Sequence, residues 1–460
     1  MASAIGNARN VARRRLRDNG DASIAQRVAG AAFTIRVISA ATVYLSQVVL
    51  ARWMGSNAFG IYVYVWTWVL LVGDIMHLGL PTAAQRFIPE YKAADANGAL
   101  RGFVLGIRWL ALIGSGAAAL VGAALVAFGR RWLDAEQVVP LLLGCLALPF
   151  FSLSIVLDGT SRAYNWINLA LTPHYFWRPL MILALMVVAH EAGFAADATT
   201  AMAAVLIATV FMTIVQLLLV DRRLRRVVSP GPRQYEVKRW LGTSLPLVLV
   251  WGFYTLLTYT DVVVLQQFRP AHDVAVYYAA ARTLLLVTFV YFAVAAAVTH
   301  RFSEYHLAGD RAALTALVGY AVRWTFWPSL AATLIVLAVG KPMLWLFGPE
   351  FVAGYPLMFI LAIGLLARAS IGPAERLLSM LGQQRICALI YGAAFAINLV
   401  GCIVLVPKLG TLGAAIAISS AIVFETAALF IVAKRRLGLT LSVFSQPALP
   451  PERANASAKS

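Results

Sequence analysis

The chain has 460 residues, of which 61% are hydrophobic and 13% charged, with a formal net charge of +18. Soluble domains are about 45–50% apolar and about 25% charged, so a soluble enzyme or binding module is excluded and a polytopic membrane protein is expected. Nucleic acid is not the expected partner of the positive charge: the basic residues lie in short stretches between apolar runs, where membrane proteins collect them for topological reasons.

The first 22 residues are polar and basic (Arg9, Arg13, Arg14, Arg15, Arg17), and residues 1–27 read as a basic cytoplasmic tail. A spanning helix needs about 20 apolar residues. By that ruler the first half gives six spans, at 28–51, 60–80, 110–128, 139–157, 173–189 and 199–220. The first is too long for the apolar core of a cleavable signal. A second six follow at 241–267, 276–299, 325–347, 355–371, 386–406 and 412–433. The fold class expected is therefore all-α, with twelve transmembrane helices in two six-helix lobes, 28–220 and 241–433. Between the lobes lies 221–240, DRRLRRVVSPGPRQYEVKRW, a basic linker with Pro230, Gly231 and Pro232 that cannot cross a bilayer. Residues 434–460 read as a disordered tail.

An even number of spans puts both termini on one side. The loops on that side hold 28 Lys and Arg, the opposite loops 5, and Arg36, Arg178, Arg282, Lys341 and Arg368 fall within spans. The termini and linker are therefore expected in the cytoplasm of an inner-membrane protein. Cys145, Cys387 and Cys402 lie in apolar runs without metal spacing, and read as inert core residues. No metal site or cofactor is expected.

The halves resemble each other. Gly60-Ile61-Tyr62 aligns with Ala275-Val276-Tyr277 at a shift of 215, and Arg86-Phe87 with Arg301-Phe302 and Ile107-Arg108-Trp109 with Val322-Arg323-Trp324 at the same shift. Repeats of six helices keep the same orientation and relate by an axis along the membrane normal, as in transporters that rock two halves around a midplane site. No phosphate-cradling GxxxxGK[ST], HExxH or GxSxG occurs, and no loop is long enough for a catalytic domain, so an enzyme is not expected.

Four ordered motifs carry a family resemblance: LARWMGSNAFGIYVY (50–64), LGLPTAAQRFIPEY (78–91), DVAVYYAAAR (273–282) and PKLGTLGAAIAISSAIVFE (407–425). With them the chain resembles the Wzx-type polysaccharide flippases of the multidrug/oligosaccharidyl-lipid/polysaccharide (MOP) exporter superfamily. Ala275 stands where that family often has Gly, and His77 where it often has Asp. The resemblance implies V-shaped lobes around a central cationic cavity. It also implies an undecaprenyl-diphosphate-linked oligosaccharide moved from inner to outer leaflet, and a polysaccharide polymerase machinery as downstream partner. The alternatives are a cation-coupled multidrug exporter of the same superfamily, or a membrane glycan polymerase or ligase.

The residues expected to meet such cargo are Arg36, eight positions into the first span, and Arg86 and Arg301, at equivalent places after the second helix of each half. A guanidinium pairs bidentately with a diphosphate; the plainer readings are snorkelling for Arg36 and topology for the other two. The Trp66/Trp68 and Tyr175/Trp177 clusters fit sugar stacking, or more cheaply interfacial belts. Intramembrane acids are candidates for proton or sodium coupling: Asp74, Asp261 and Glu425, the last with no evident local cation. Asp261 and Arg282 sit at equal depth on neighbouring helices, so an ion pair is expected, acting as a structural clamp or as a coupling site. The basic linker is expected to bind anionic lipid headgroups.

Overall fold

The computed structural model describes the backbone of residues 2–441 and 443. It describes side chains from residue 38 onward, except at 246, 247, 250, 296, 300, 303, 306 and 307. The described chain is helical almost throughout. In order, the helices are α1 (Ala2–Met76), α2 (Leu80–Ala93), α3 (Asn97–Phe128), α4 (Ala135–Ala163), α5 (Ile167–Thr172), α6 (Arg178–Glu191) and α7 (Ala198–Val227). The second half has α8 (Val237–Phe268), α9 (Ala271–Leu285), α10 (Thr288–Leu307), α11 (Arg311–Ala338), α12 (Gly340–Phe347), α13 (Tyr355–Ser370), α14 (Ala374–Met380), α15 (Gln384–Leu409) and α16 (Thr411–Val432).

Nine helical stretches among the described residues are long and apolar enough to cross a membrane, and the bent pair α9–α10 makes a tenth. The expected twelve are not all separated by this measure, for two reasons. The first two expected spans run together in α1, which kinks at Gly55; φ there is +73°, a conformation glycine takes at little cost. Helix α8 contains three of the side chains outside the described set.

The second helix of each half is broken. After Met76 the chain takes left-handed turns at Leu78 and Gly79 before Pro81 starts α2, and the His77 ring Nδ1 accepts the Gly79 N–H at 3.1 Å, filling a hydrogen bond that the break leaves open. In the second half the break falls at Leu286–Val287, between α9 and α10. The repeat is visible elsewhere. Phe87 and Phe302 are both buried while Arg86 and Arg301 are both exposed. Tyr277 hydrogen-bonds back to Asp261 of the preceding leg, and Tyr62, its counterpart, is likewise buried.

The apolar clusters show how the halves join. One cluster is common to both and runs through Phe59, Tyr62, Met202, Tyr277, Phe347 and Phe351. Away from it, each half has its own: Phe87, Phe103, Leu157 and Val220 in the first, Phe302, Val322, Leu378 and Tyr391 in the second. The lobes thus share a core at one end and part toward the other. Helix α8 bridges them, because its first turn carries Trp240 into the first lobe's cluster, fully buried, while its length packs on α15.

The linker is shorter than the expected 221–240. Helix α7 runs through the four arginines to Val227 and α8 starts at Val237, since arginine and leucine are good helix formers and only the Pro-Gly-Pro stretch is not. What remains is a strap pinned to α3: Gln234 N donates to Gly98 O at 3.0 Å, and Arg101 holds Ser229 O at 2.7 Å and Pro232 O at 2.9 Å. A Cβ on Gly102 would lie 1.8 Å from Gln234 O.

Candidate functional site

The seam between lobes is built on residues without bulk. A Cβ on Gly60 would lie 1.8 Å from the carbonyl oxygen of Ala271, so the backbones of α1 and α9 touch there. Around this contact, Ser56 Oγ and His272 Nδ1 are 2.8 Å apart, and the Phe59 ring meets Tyr62, Tyr278, Phe347 and Phe351. Arg52 reaches across from α1 to the end of α12, donating from Nε to Leu346 O and from Nη2 to Trp345 O, both 2.8 Å, with its guanidinium 4.6 Å above the Trp345 ring. Those carbonyls belong to the last turn of a helix, which has no internal donors for them and carries partial negative charge.

Beyond the seal lies Arg282, half-buried with its guanidinium 4.8 Å above the Tyr278 ring and with Tyr62 and Tyr259 as further electrostatic neighbours. The expected Asp261–Arg282 pair is not in ion-pair contact among the described residues, and Arg282 acts on Asp261 only through space. Asp261 is buried and accepts the Tyr277 hydroxyl and the Val262 N–H. Equal depth fixes height but not rotation: Arg282 is five residues past Tyr277, roughly 140° further round α9 at 3.6 residues per turn. Its Cα therefore lies on a different side of α9 from that of Tyr277, which meets Asp261.

Inside the first lobe, a π-helical turn over Pro173–Trp177 leads into α6 and places Arg178 in the interior, 7% exposed. Its guanidinium lies 5.0 Å from the Trp66 ring and 5.3 Å from Phe151, and Nη2 is 3.3 Å from His174 Nε2. Asp158 and Asp74 act on it through space, although neither is in ion-pair contact with it among the described residues. Asp158 instead accepts from Gln216 Nε2 at 2.6 Å, and Gln216 also donates to Leu169 O. Asp74 is half-buried, with Arg178 and Tyr259 as its electrostatic neighbours. Trp66 is thus an interior shelf for a cation rather than a belt residue, whereas Trp177 is exposed as a belt residue would be.

In the second lobe, Glu425 has the cation it was expected to lack. It is 2% exposed and pairs with Arg368 of α13, whose guanidinium also lies 5.8 Å above the Tyr254 ring. Arg86 and Arg301 lie within α2 and α10, the helical pieces that follow the break in each half's second helix. Both are exposed, Arg86 packing 5.8 Å over its neighbour Phe87. The side chain of Arg36 lies outside the described residues.

Of the residues singled out from sequence, then, the fold brings Asp74 toward Arg178, leaves Asp261 and Arg282 out of ion-pair contact and gives Glu425 a partner. Arg178, Asp158 and Arg368 join the interior set. The signal for Arg178 was its place within a span. Asp158 and Arg368 were hidden because both fall near span ends drawn by hydropathy. Three interior arginines each lie on an aromatic ring, an arrangement suited to holding anions and planar groups. No cluster of three His, Cys, Asp or Glu able to hold a metal occurs among the described residues.

Residues 28–306, more than half the chain, match the polysaccharide biosynthesis protein family. The chain belongs to that family. Residues 246–404 also match the MatE family. No curated protein sequence matches. The fold is that of MOP-superfamily transporters. An inward-facing multidrug resistance MATE family transporter of that superfamily aligns with TM-score 0.68 and 15% identity, over 88% of this chain and 94% of its own. The lipid II flippase MurJ, in an inward closed conformation, aligns with TM-score 0.68 and 16% identity over 87% of each chain. A MOP superfamily transporter from Pyrococcus furiosus, described as having a binding pocket of reverse polarity, aligns with TM-score 0.65 and 15% identity, over 88% of this chain and 95% of its own. This member of the polysaccharide biosynthesis family is an integral membrane protein with a transporter fold.

Proposed function

We propose that the protein is a flippase that moves an undecaprenyl-diphosphate-linked oligosaccharide from the inner to the outer leaflet of the bacterial inner membrane, supplying polysaccharide assembly. The observation that carries this reading is Arg282. It lies at the seam on the Tyr278 ring and makes no ion pair among the described residues. A charge within a spanning segment costs about 2.5–3.5 kcal/mol on insertion scales, and an anionic cargo group offsets that cost while exploiting the planar guanidinium fork. The half-buried Tyr259 nearby presents a ring and hydroxyl that suit sugars. With termini and strap in the cytoplasm, as the 28-to-5 distribution supports, the inside-negative potential favours outward movement of an anion by about 2.3 kcal/mol per charge per 100 mV.

A second reading, a cation-coupled multidrug exporter, is favoured by the MatE match and the interior acids. Three of those acids are engaged, Asp158 by Gln216, Asp261 by Tyr277 and Glu425 by Arg368, which leaves Asp74 as the carboxylate we assign to proton or sodium coupling in either case. A polymerase or ligase is disfavoured because the longest stretch between helices among the described residues is the nine-residue strap, 228–236. The deciding experiment is deletion of the gene followed by assay of which leaflet holds the lipid-linked glycan. Inner-leaflet accumulation, cured by wild type but not by Arg282→Ala at equal expression, is expected. An unchanged leaflet distribution together with lost drug efflux would transfer the assignment to the exporter.

A further inference from the structure

The end of α7 and the strap carry charge that the protein itself leaves unanswered. Arg222, Arg223, Arg225, Arg226, Arg233 and Lys238 are all exposed, and none takes part in an ion pair among the described residues. The local acids are engaged elsewhere. Asp221 pairs with Arg108 at 2.7 Å. Glu236 accepts from Tyr91 at 2.7 Å and from Arg239 at 2.9 Å, and Glu90 is also taken by Arg239. Arg223 lies 5.5 Å from the Trp166 ring, a contact that leaves its charge uncompensated.

The patch has a defined height. Leu218 and Leu219 on α7 are exposed, as lipid-facing residues are, and the arginines begin within about one turn, ~5 Å, below them. On the neighbouring α3, Trp109 is exposed beside Arg108, and exposed tryptophan marks the headgroup level. The patch also has a fixed shape. The strap is tied by its bonds to Gly98 and Arg101 and by the buried Trp240, so a ligand need not order it.

We propose that this surface, the α7 terminus and strap, is a docking site for the phosphodiester headgroups of anionic phospholipids in the leaflet that faces it. The ligand chemistry follows from position: at headgroup depth the abundant anion is the lipid phosphate, and guanidinium groups pair with it directly. The matched control is the exposed Lys434, Arg435 and Arg436 run after α16, equal in topological role but not backed by the strap.

The test uses the full-length protein in detergent, titrated with phosphatidylglycerol or with phosphatidylcholine of the same acyl chains, bound lipid being counted by native mass spectrometry. Phosphatidylglycerol is expected to be retained selectively, and less so at 0.5 M salt than at 0.05 M, since screening shortens the reach of exposed charge. Replacing Arg222, Arg225 and Arg226 with Gln should cut its affinity on the order of 100-fold, from about 1 kcal/mol per basic residue near a surface. Replacing all three with Lys should keep most of it, and Gln at Lys434, Arg435 and Arg436 should cost under fivefold. Equal retention of the two lipids by wild type overturns the proposal without any variant having to fold. So does an equal loss in the control, and so does capture of polyglutamate in place of lipid, which would assign the surface to an acidic protein.

Discussion

The contact of Arg52 with the end of α12 offers the sharpest test of how the seam is held. Replacing Arg52 with Ala removes two charge-assisted hydrogen bonds to helix-terminal carbonyls and a cation–π contact. Bonds to charged groups are worth about 1.5–3 kcal/mol when desolvated. Arg52 is exposed, so each is taken at about 1 kcal/mol, and the ring adds roughly 0.5–1 kcal/mol. The loss of about 2–3 kcal/mol shifts the closed-to-open balance of this end on the order of 30- to 150-fold at ~1.4 kcal/mol per tenfold. A single cysteine in place of the fully buried Ala275, with Cys145, Cys387 and Cys402 replaced by Ser, reports that balance through its rate of reaction with a membrane-impermeant thiol reagent added from outside. Arg52→Ala should accelerate labelling by at least tenfold, while Arg52→Lys should fall between, since an ammonium cannot serve both carbonyls and the ring in one plane. A reporter cysteine in place of Ser244, near Gly79 toward the strap end, should not speed up in parallel. Labelling at 275 unchanged within twofold in a protein of unaltered thermal stability would refute the latch, and faster labelling at both sites would mean unfolding instead.

Other outcomes follow from the same geometry. Glu425→Gln strands the Arg368 guanidinium and should cost about 3–5 kcal/mol, read as a fall in Tm in detergent, with Arg368→Gln added to it restoring most of the loss. Tyr277→Phe leaves Asp261 with the Val262 N–H but without the hydroxyl donor and should cost about 1–3 kcal/mol in the same assay; an unchanged Tm would contradict the bond. The hydrogen bond from Tyr91, followed by that from Arg239, holds Glu236 below the ordinary carboxylate range. A depressed carboxylate adds stability above the unfolded pKa, about 4.3, and that stability is lost as pH falls through the lower folded value. Glu236→Gln should therefore lower Tm slightly at pH 7 and progressively less as pH falls below about 4, the effect being small because the group is solvent-exposed. A cysteine at Ser229 should resist impermeant reagents in intact cells; labelling there would invert the proposed orientation.

Hydropathy and motif spacing carried the fold class because a bilayer forces helices and the repeat copies its motifs. They carried less of the site. Hydropathy windows stop where polar residues begin, yet helices do not: α3 starts at Asn97 and α4 continues to Ala163, so Asp158 looked like a loop residue while being buried in a bundle. Depth along a helix is readable from sequence and rotation about it is read poorly, which is why Asp261 and Arg282 were paired by height and found their partners elsewhere. The Arg368–Glu425 pair spans 57 positions, and nothing local in either segment announces it. Trp66 shows the converse error, since composition alone cannot tell an aromatic that faces headgroups from one that faces an arginine.

The Gly60–Ala271 contact has a kinetic implication. Seals made of long side chains stretch: as two helices draw apart, a lysine or phenylalanine changes rotamer and follows. At this one point backbone meets backbone, and residue 60 has no side chain to follow. Dispersion falls by a quarter to a half over a radial gap of only about 0.5–1 Å, so this end of the protein should let go abruptly instead of loosening by degrees. A barrier that fails all at once protects an ion gradient only if the far side has already shut. The missing methyl group at position 60 thus favours a cycle in which the strap side closes before the seam parts.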